Sequence, residues 1–131
     1  MIVSASRRTD IPSYYSEWML NRLKEEYVLV RNPMNIHQVS KIDLSPSVVD
    51  ALVFWTKNPT PMLQHLDELK DYIYYFQFTL SAYGPDVERT LPSKNKVIIP
   101  TFRKLSQEIG KEKVVWRYDP IFFNERYTMQ Y

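Results

Sequence analysis

The sequence predicts an α/β fold of about five βα units, with parallel strands joined through helices in a partial barrel or an open sheet. Three observations carry this. Five short apolar runs end in polar clusters, at Ser4–Pro12, Val30–Pro33, Phe54–Pro59, Phe76–Thr79 and Trp116–Pro120, and four of the clusters run into proline. Apolar runs bounded by turn residues read as buried strands, and amphipathic stretches between them read as crossover helices. The strand ends fall near residues 8, 31, 56, 79 and 117, a spacing of about 22–38 residues that suits successive βα units in one domain.

Taken in order, residues 2–6 form the first strand. Thr9 or Asp10 caps the first helix, and Pro12 suits its first turn. Tyr14, Tyr15, Trp18, Met19, Arg22 and Leu23 recur at helical spacing, so a helix is expected over about 13–25. Tyr27–Val30 is the second strand, Asn35–Leu44 a loop or small hairpin, and Ser45-Pro46 opens a short helix ending by about Leu52. Ala51–Trp55 is the third strand. A helix over about 60–71 turns Met62, Leu63, Leu66 and Leu69 to one side, and Ile73–Leu80 is the fourth strand. After a turn at Tyr83-Gly84-Pro85, a helix over 96–109 buries Phe102, Leu105 and Ile109 and ends at Gly110. Lys113–Trp116 is the fifth strand. The chain stops at Glu125–Tyr131, where the next helix is expected to begin, so the barrel reads as unfinished.

Composition removes several function classes. Two glycines in 131 residues leave no glycine-rich phosphate loop, and the absence of cysteine removes disulfides, zinc–thiolate and iron–sulfur sites and a cysteine nucleophile. A net charge of +2, from 17 basic and 15 acidic residues, does not indicate nucleic acid. Without an apolar run of membrane-spanning length or signal-peptide anatomy, no membrane association is expected, and a cytoplasmic location is the default.

In βα-built folds the C-terminal ends of the strands form the binding face, which makes the five clusters the candidate site. Arg7, Arg8 and Asp10 suit an anion or carboxylate clamp, or else an internal Arg–Asp pair that holds the turn. Arg31-Asn32 and Lys57-Asn58 repeat a basic–amide–proline form, in which the cations suit a ligand and the amides suit turn chemistry as well. Gln77 and Thr79 share one strand face and need a ligand or a neighbouring strand to bond. Alternation sets Arg117 and Asp119 on the inward side, as a buried ion pair or part of a site, with Trp116 and Tyr118 on the other. His37 and His65 lie away from the strand ends and read as surface residues, so no Ser–His–Asp grouping is visible. The aromatic run from Tyr72 to Phe78 reads as core rather than a base-stacking platform.

The strings SASRRTDIP, VRNP, VFWTKNP, FQFTL and VVWRYDP resemble, in that order, the pattern of a prokaryotic family, domain of unknown function 1848, over essentially the whole chain. The resemblance implies a complete or partial (β/α) TIM-barrel-like fold. Family members of about twice this length carry a C-terminal cysteine cluster similar to that of radical S-adenosylmethionine enzymes and resemble spore photoproduct lyases. The implied cofactors are a [4Fe–4S] cluster and S-adenosylmethionine. This chain lacks those cysteines, so it is not expected to perform radical chemistry alone.

Three readings are open. The chain is the N-terminal part of a radical-S-adenosylmethionine-like enzyme, supplying polar substrate contacts. Alternatively it is a standalone module binding a small anionic metabolite or nucleotide, or an oligomeric structural fragment. Unpaired strand edges in an incomplete barrel lead us to expect a homo-oligomer or a domain-swapped pair.

Overall fold

A computed structural model describes residues 1–130. Among them, the strands are β1 (Ile2–Ser4), β2 (Tyr27–Arg31), β3 (Val39–Asp43), β4 (Ala51–Thr56), β5 (Tyr74–Thr79) and β6 (Val114–Arg117). The α-helices are α1 (Ile11–Tyr14), α2 (Ser16–Lys24), α3 (Thr60–Leu63) and α4 (Ile99–Ile109), the last preceded by a π-helical stretch, Lys94–Ile98. The mixed α/β expectation holds. Four strands form a parallel sheet in the order β1-β4-β5-β6, and no closed barrel is found among the described residues.

The second predicted strand is not in that sheet. Tyr27–Arg31 pairs antiparallel with Val39–Asp43, so four strands rather than five run parallel. The connection explains the difference. Asn32 Oδ1 accepts the Met34 N–H at 2.9 Å, Asn32 Nδ2 donates to Gln38 Oε1 at 2.7 Å, and Asn35 Oδ1 accepts the His37 N–H at 3.1 Å. Asparagine side chains bonding backbone two residues on stabilise a loop that reverses the chain, so Val39 returns beside Arg31.

Three of the four predicted helices are shorter than their apolar periodicity predicts, whereas the one over 96–109 forms as α4 with its π-helical lead. Asp10 caps α1 through Ser13 N at 3.0 Å, but Tyr15 leaves helical geometry and divides the predicted 13–25 helix. Met19, Leu20 and Leu23 are buried, whereas Tyr14, Tyr15 and Trp18 stand exposed. The 60–71 helix becomes α3 and a separate 3-10 turn, Leu66–Leu69, interrupted at His65. The helix expected after Ser45 is only a turn, in which Ser45 O accepts from Val48 N and Val49 N.

The core lies on one side of the parallel sheet. Leu52 and Phe54 of β4 and Phe76 and Phe78 of β5 are fully buried with Met62, Leu69, Ile98 and Leu105 from the connections. Phe54 stacks on Phe76 at 5.1 Å, and Phe78 meets Phe102 edge-on at 5.1 Å. Alternation sends Ser4, Val53, Trp55, Tyr75, Gln77, Val115 and Arg117 to the other face. Of these Trp55 and Val115 are exposed, and buried Val53 lies outside the core cluster. Parallel sheets ordinarily have both faces covered. Here one face is packed and the other is open, and β1 and β6 are edge strands.

Among the described residues two positions take positive φ, Glu26 at 58° and Gly110 at 94°. A Cβ at Gly110 would also meet the Glu112 carboxylate, which can swing aside, so the cost rests on the positive φ. We expect Gly110→Ala to destabilise the fold by about 1 kcal/mol or more, and Glu26→Gly to be neutral or stabilising, in urea denaturation. Equal losses in both variants would contradict this account of the two turns.

Candidate functional site

The turn after β1 and the end of β2 border an open cleft of about 450 Å³. Its walls are apolar, from Val3, Ile11, Met19, Val28 and Leu44, and Arg7, Arg8 and Arg31 also line it. Arg8 donates from both Nη1 and Nη2 to the Arg31 carbonyl, each at 3.3 Å, which fixes one guanidinium beside the backbone that carries another. Among the described residues none of these three arginines has a carboxylate within ion-pair distance.

Asp10 does not neutralise them. Its Oδ1 accepts from Ser13 N, and its Oδ2 accepts from the backbone N–H of Lys57 at 2.7 Å. The carboxylate therefore ties the β1 turn to the β4 turn, and the Arg–Asp pair considered from sequence does not form. Ser13 Oγ reinforces the tie by donating to Asn58 O at 2.7 Å, and Thr56 Oγ1 accepts from Asn58 N at 3.1 Å. Asn58 Oδ1 accepts the Thr60 hydroxyl at 2.6 Å at the start of α3. Asn32 and Asn58 thus both serve the turns in which they sit.

Lys57 projects instead toward the segment after β5. Its Nζ pairs with Glu88 Oε1 at 2.6 Å, while Lys94 Nζ pairs with Glu88 Oε2 at 2.6 Å. Ser81 Oγ donates to Glu88 Oε2 at 3.1 Å, and Lys94 also donates to the carbonyls of Ser81 and Tyr83. The Glu88 side chain is 7% exposed. Burial alone would raise its pKa, but the hydrogen bonds and charges of the two lysines overcome this and hold it below its ordinary value of 4.5.

On the open sheet face, Arg117 reaches across β5 to lie over the Trp55 ring, 4.4 Å from its centroid. Asp119 Oδ2 accepts from Arg117 Nη2 at 2.9 Å, but the Asp119 side chain is 58% exposed, so the pair is open to solvent rather than buried. Gln77 Nε2 lies 3.4 Å from the Tyr75 hydroxyl, a weak bond, and Thr79 is buried with no hydrogen bond to its hydroxyl among the described residues. Trp116 and Tyr118 take the opposite side, as alternation predicts. Trp116 Nε1 donates to Leu80 O at 2.9 Å, and Tyr118 OH accepts from Ala82 N at 3.2 Å. Ser6, at the end of β1, is buried with its hydroxyl unpartnered among the described residues.

The sequence candidates therefore separate into two surfaces. Arg7, Arg8 and Arg31 line the cleft. Gln77, Thr79, Arg117 and Asp119 lie at the open sheet face or its rim, and Lys57 joins the Glu88 network between. Sequence reasoning misses Ser81, Glu88 and Lys94, because they occur in a connection without strand periodicity. The one available signal is a glutamate and a lysine six residues apart beside Pro92, which is weak. His37 is exposed in the hairpin loop, and His65 pairs with Glu68 at 2.8 Å, away from both surfaces. Without cysteine, and without a cluster of three or more metal-capable His, Asp or Glu residues among those described, the chain offers no ligand set that fits a [4Fe–4S] cluster. No helix among the described residues is long and apolar enough to cross a membrane.

The Glu88 network has a definite pH signature. A carboxylate whose folded pKa is depressed stabilises the fold above its unfolded value near 4.5, and this contribution disappears as pH falls through the folded value. Glu88→Gln should cost about 1–3 kcal/mol at pH 7 and progressively less below pH 4.5, in urea titrations across pH. A loss independent of pH would show that charge is not the source of the stabilisation.

No curated protein and no solved structure matches this chain significantly. A family model described as a domain of unknown function, DUF1848, matches residues 2–131. With a match across nearly its whole length, the chain belongs to the DUF1848 family.

Proposed function

We propose that this chain supplies the substrate-contacting part of a (β/α)-barrel enzyme and is not catalytic alone. The observation that supports this is the one-sided sheet. Four parallel strands carry helices and turns on one face and a bare, mixed apolar and polar surface on the other, the relation that helices and lumen have in a (β/α) barrel. On that inward face Arg117, stacked on Trp55 and oriented by Asp119, keeps donors for an anionic or carbonyl group. Gln77 beside it offers both a donor and an acceptor. Polar contacts from strand ends orient a substrate, while the reacting group lies on residues other than these. The family resemblance points to radical S-adenosylmethionine-type chemistry for that group, which would supply hydrogen-atom abstraction when bound.

Intact-mass measurement of the native protein from source-cell extract tests the reading first. A mass about twice 15.7 kDa is expected, and a native mass of 15.7 kDa would overturn it. The native protein purified without oxygen should then contain iron and sulfide and cleave S-adenosylmethionine, and its Arg117→Ala variant should retain iron while substrate affinity falls about tenfold. Iron-free native protein would refute the radical chemistry.

The open face and the free edges of β1 and β6 also favour self-association when this chain is expressed alone. Light scattering coupled to size exclusion should report a dimer or larger. A monodisperse monomer would count against it.

A second reading, a binding module for a small anionic metabolite or nucleotide, is favoured by the three cleft arginines that have no carboxylate partner among the described residues.

A further inference from the structure

We infer that the cleft between β1, α1–α2 and the β2–β3 hairpin binds a phosphate monoester whose alcohol portion is apolar. The inference deepens the binding-module reading and does not rest on the barrel reading, because the cleft and the open sheet face around Trp55, Gln77 and Arg117 share no residue.

The charge argument comes first. Arg7, Arg8 and Arg31 line one cleft, and the acidic residue of that turn, Asp10, is turned away to Ser13 and Lys57. Three arginines line this cleft without a counter-charge among the described residues, and an anion of about two negative charges compensates them better than a single carboxylate. Guanidinium forks match phosphate oxygens bidentately. Arg8 is already held by the Arg31 carbonyl, so ordering it costs little entropy on binding.

The walls then choose the rest of the ligand. Val3, Ile11, Tyr15, Val28 and Leu29 present apolar surface in the same cleft as the arginines, and about 450 Å³ lies within the ~300–1,000 Å³ typical of small-molecule sites. A bare phosphate would leave these walls wetted. A neutral apolar molecule would leave the arginines unsatisfied. An apolar phosphate monoester satisfies both, and Trp18, half-exposed at the cleft, offers a ring face to an aromatic body.

Calorimetric titration of the whole chain with 1-naphthyl phosphate tests this, alongside inorganic phosphate, 1-naphthol and 1-naphthoate. We expect naphthyl phosphate to bind at least tenfold more tightly than each of the other three. Arg7→Ala and Arg31→Ala should each weaken it about tenfold, while Trp18→Ala should weaken naphthyl phosphate and leave inorganic phosphate unchanged. Circular dichroism identifies any variant that fails to fold, and Arg7→Gln and Arg31→Gln then serve in its place. Inorganic phosphate binding as tightly as naphthyl phosphate, with the same arginine dependence, would overturn the apolar-body assignment while leaving an anion-binding module. Naphthoate binding as tightly would overturn the preference for a dianion. No anion binding, or binding indifferent to the arginines, would overturn both the inference and the module reading.

Discussion

The parallel pairing of β4 with β5 is the constraint on which the rest of the structure depends. Leu52 and Phe54 on one strand and Phe76 and Phe78 on the other are fully buried, and the ladder sets them side by side on one face. Removing four such side chains from water supplies stabilisation of roughly 2 kcal/mol each before entropy is counted. The helices gather over that face. With β1 and β6 added in parallel on either side, every strand of this sheet points the same way, and its polar continuation emerges at the same end.

At that end two carboxylates organise the turns, and they do so differently. Asp10 is satisfied by backbone N–H groups of two separate turns, whereas Glu88 is satisfied by two lysines and a serine. Both acids are thereby committed to holding connections together. The arginines at the ends of β1 and β2 are left without acidic partners among the described residues, and Arg117 finds its acid only in the solvent-exposed Asp119. The positive character of the site is thus a consequence of where the acids are needed, despite a net charge of only +2 over the chain.

The two candidate surfaces make different demands on what completes them. The arginine cleft is lined by β1, α1–α2 and the β2–β3 hairpin and is open to solvent on one side, with a volume of about 450 Å³ that suits a small molecule. The open sheet face is broad, carrying an indole, a guanidinium and an amide on a platform that water would otherwise wet. Family membership is established over residues 2–131, while the chemistry of the family rests on surfaces such as these rather than on the fold.

Much of this was legible in the sequence because burial leaves a pattern. The runs Ala51–Trp55 and Ile73–Leu80 are long, bulky and bounded by turn residues, and they became the central strands β4 and β5. Gly110 was legible as a helix end because it takes positive φ, which glycine adopts at little cost. The second strand was legible as a strand, but its partner was not. Its five residues carry no local signal of their partner, and Asn32, Asn35 and Gln38 close the loop that returns the chain to β3. Arg31 was therefore expected beside the parallel strand ends and lies instead on a hairpin, yet its carbonyl still receives the Arg8 side chain. By itself the sequence determined the α/β class, the central strands and the arginines, because hydrophobic periodicity and turn chemistry are local. Only the tertiary structure decided that Asp10 and Glu88 tie distant turns together, that one sheet face stays open and that three arginines share a cleft. These depend on contacts between segments distant along the chain, whose partners no local pattern specifies.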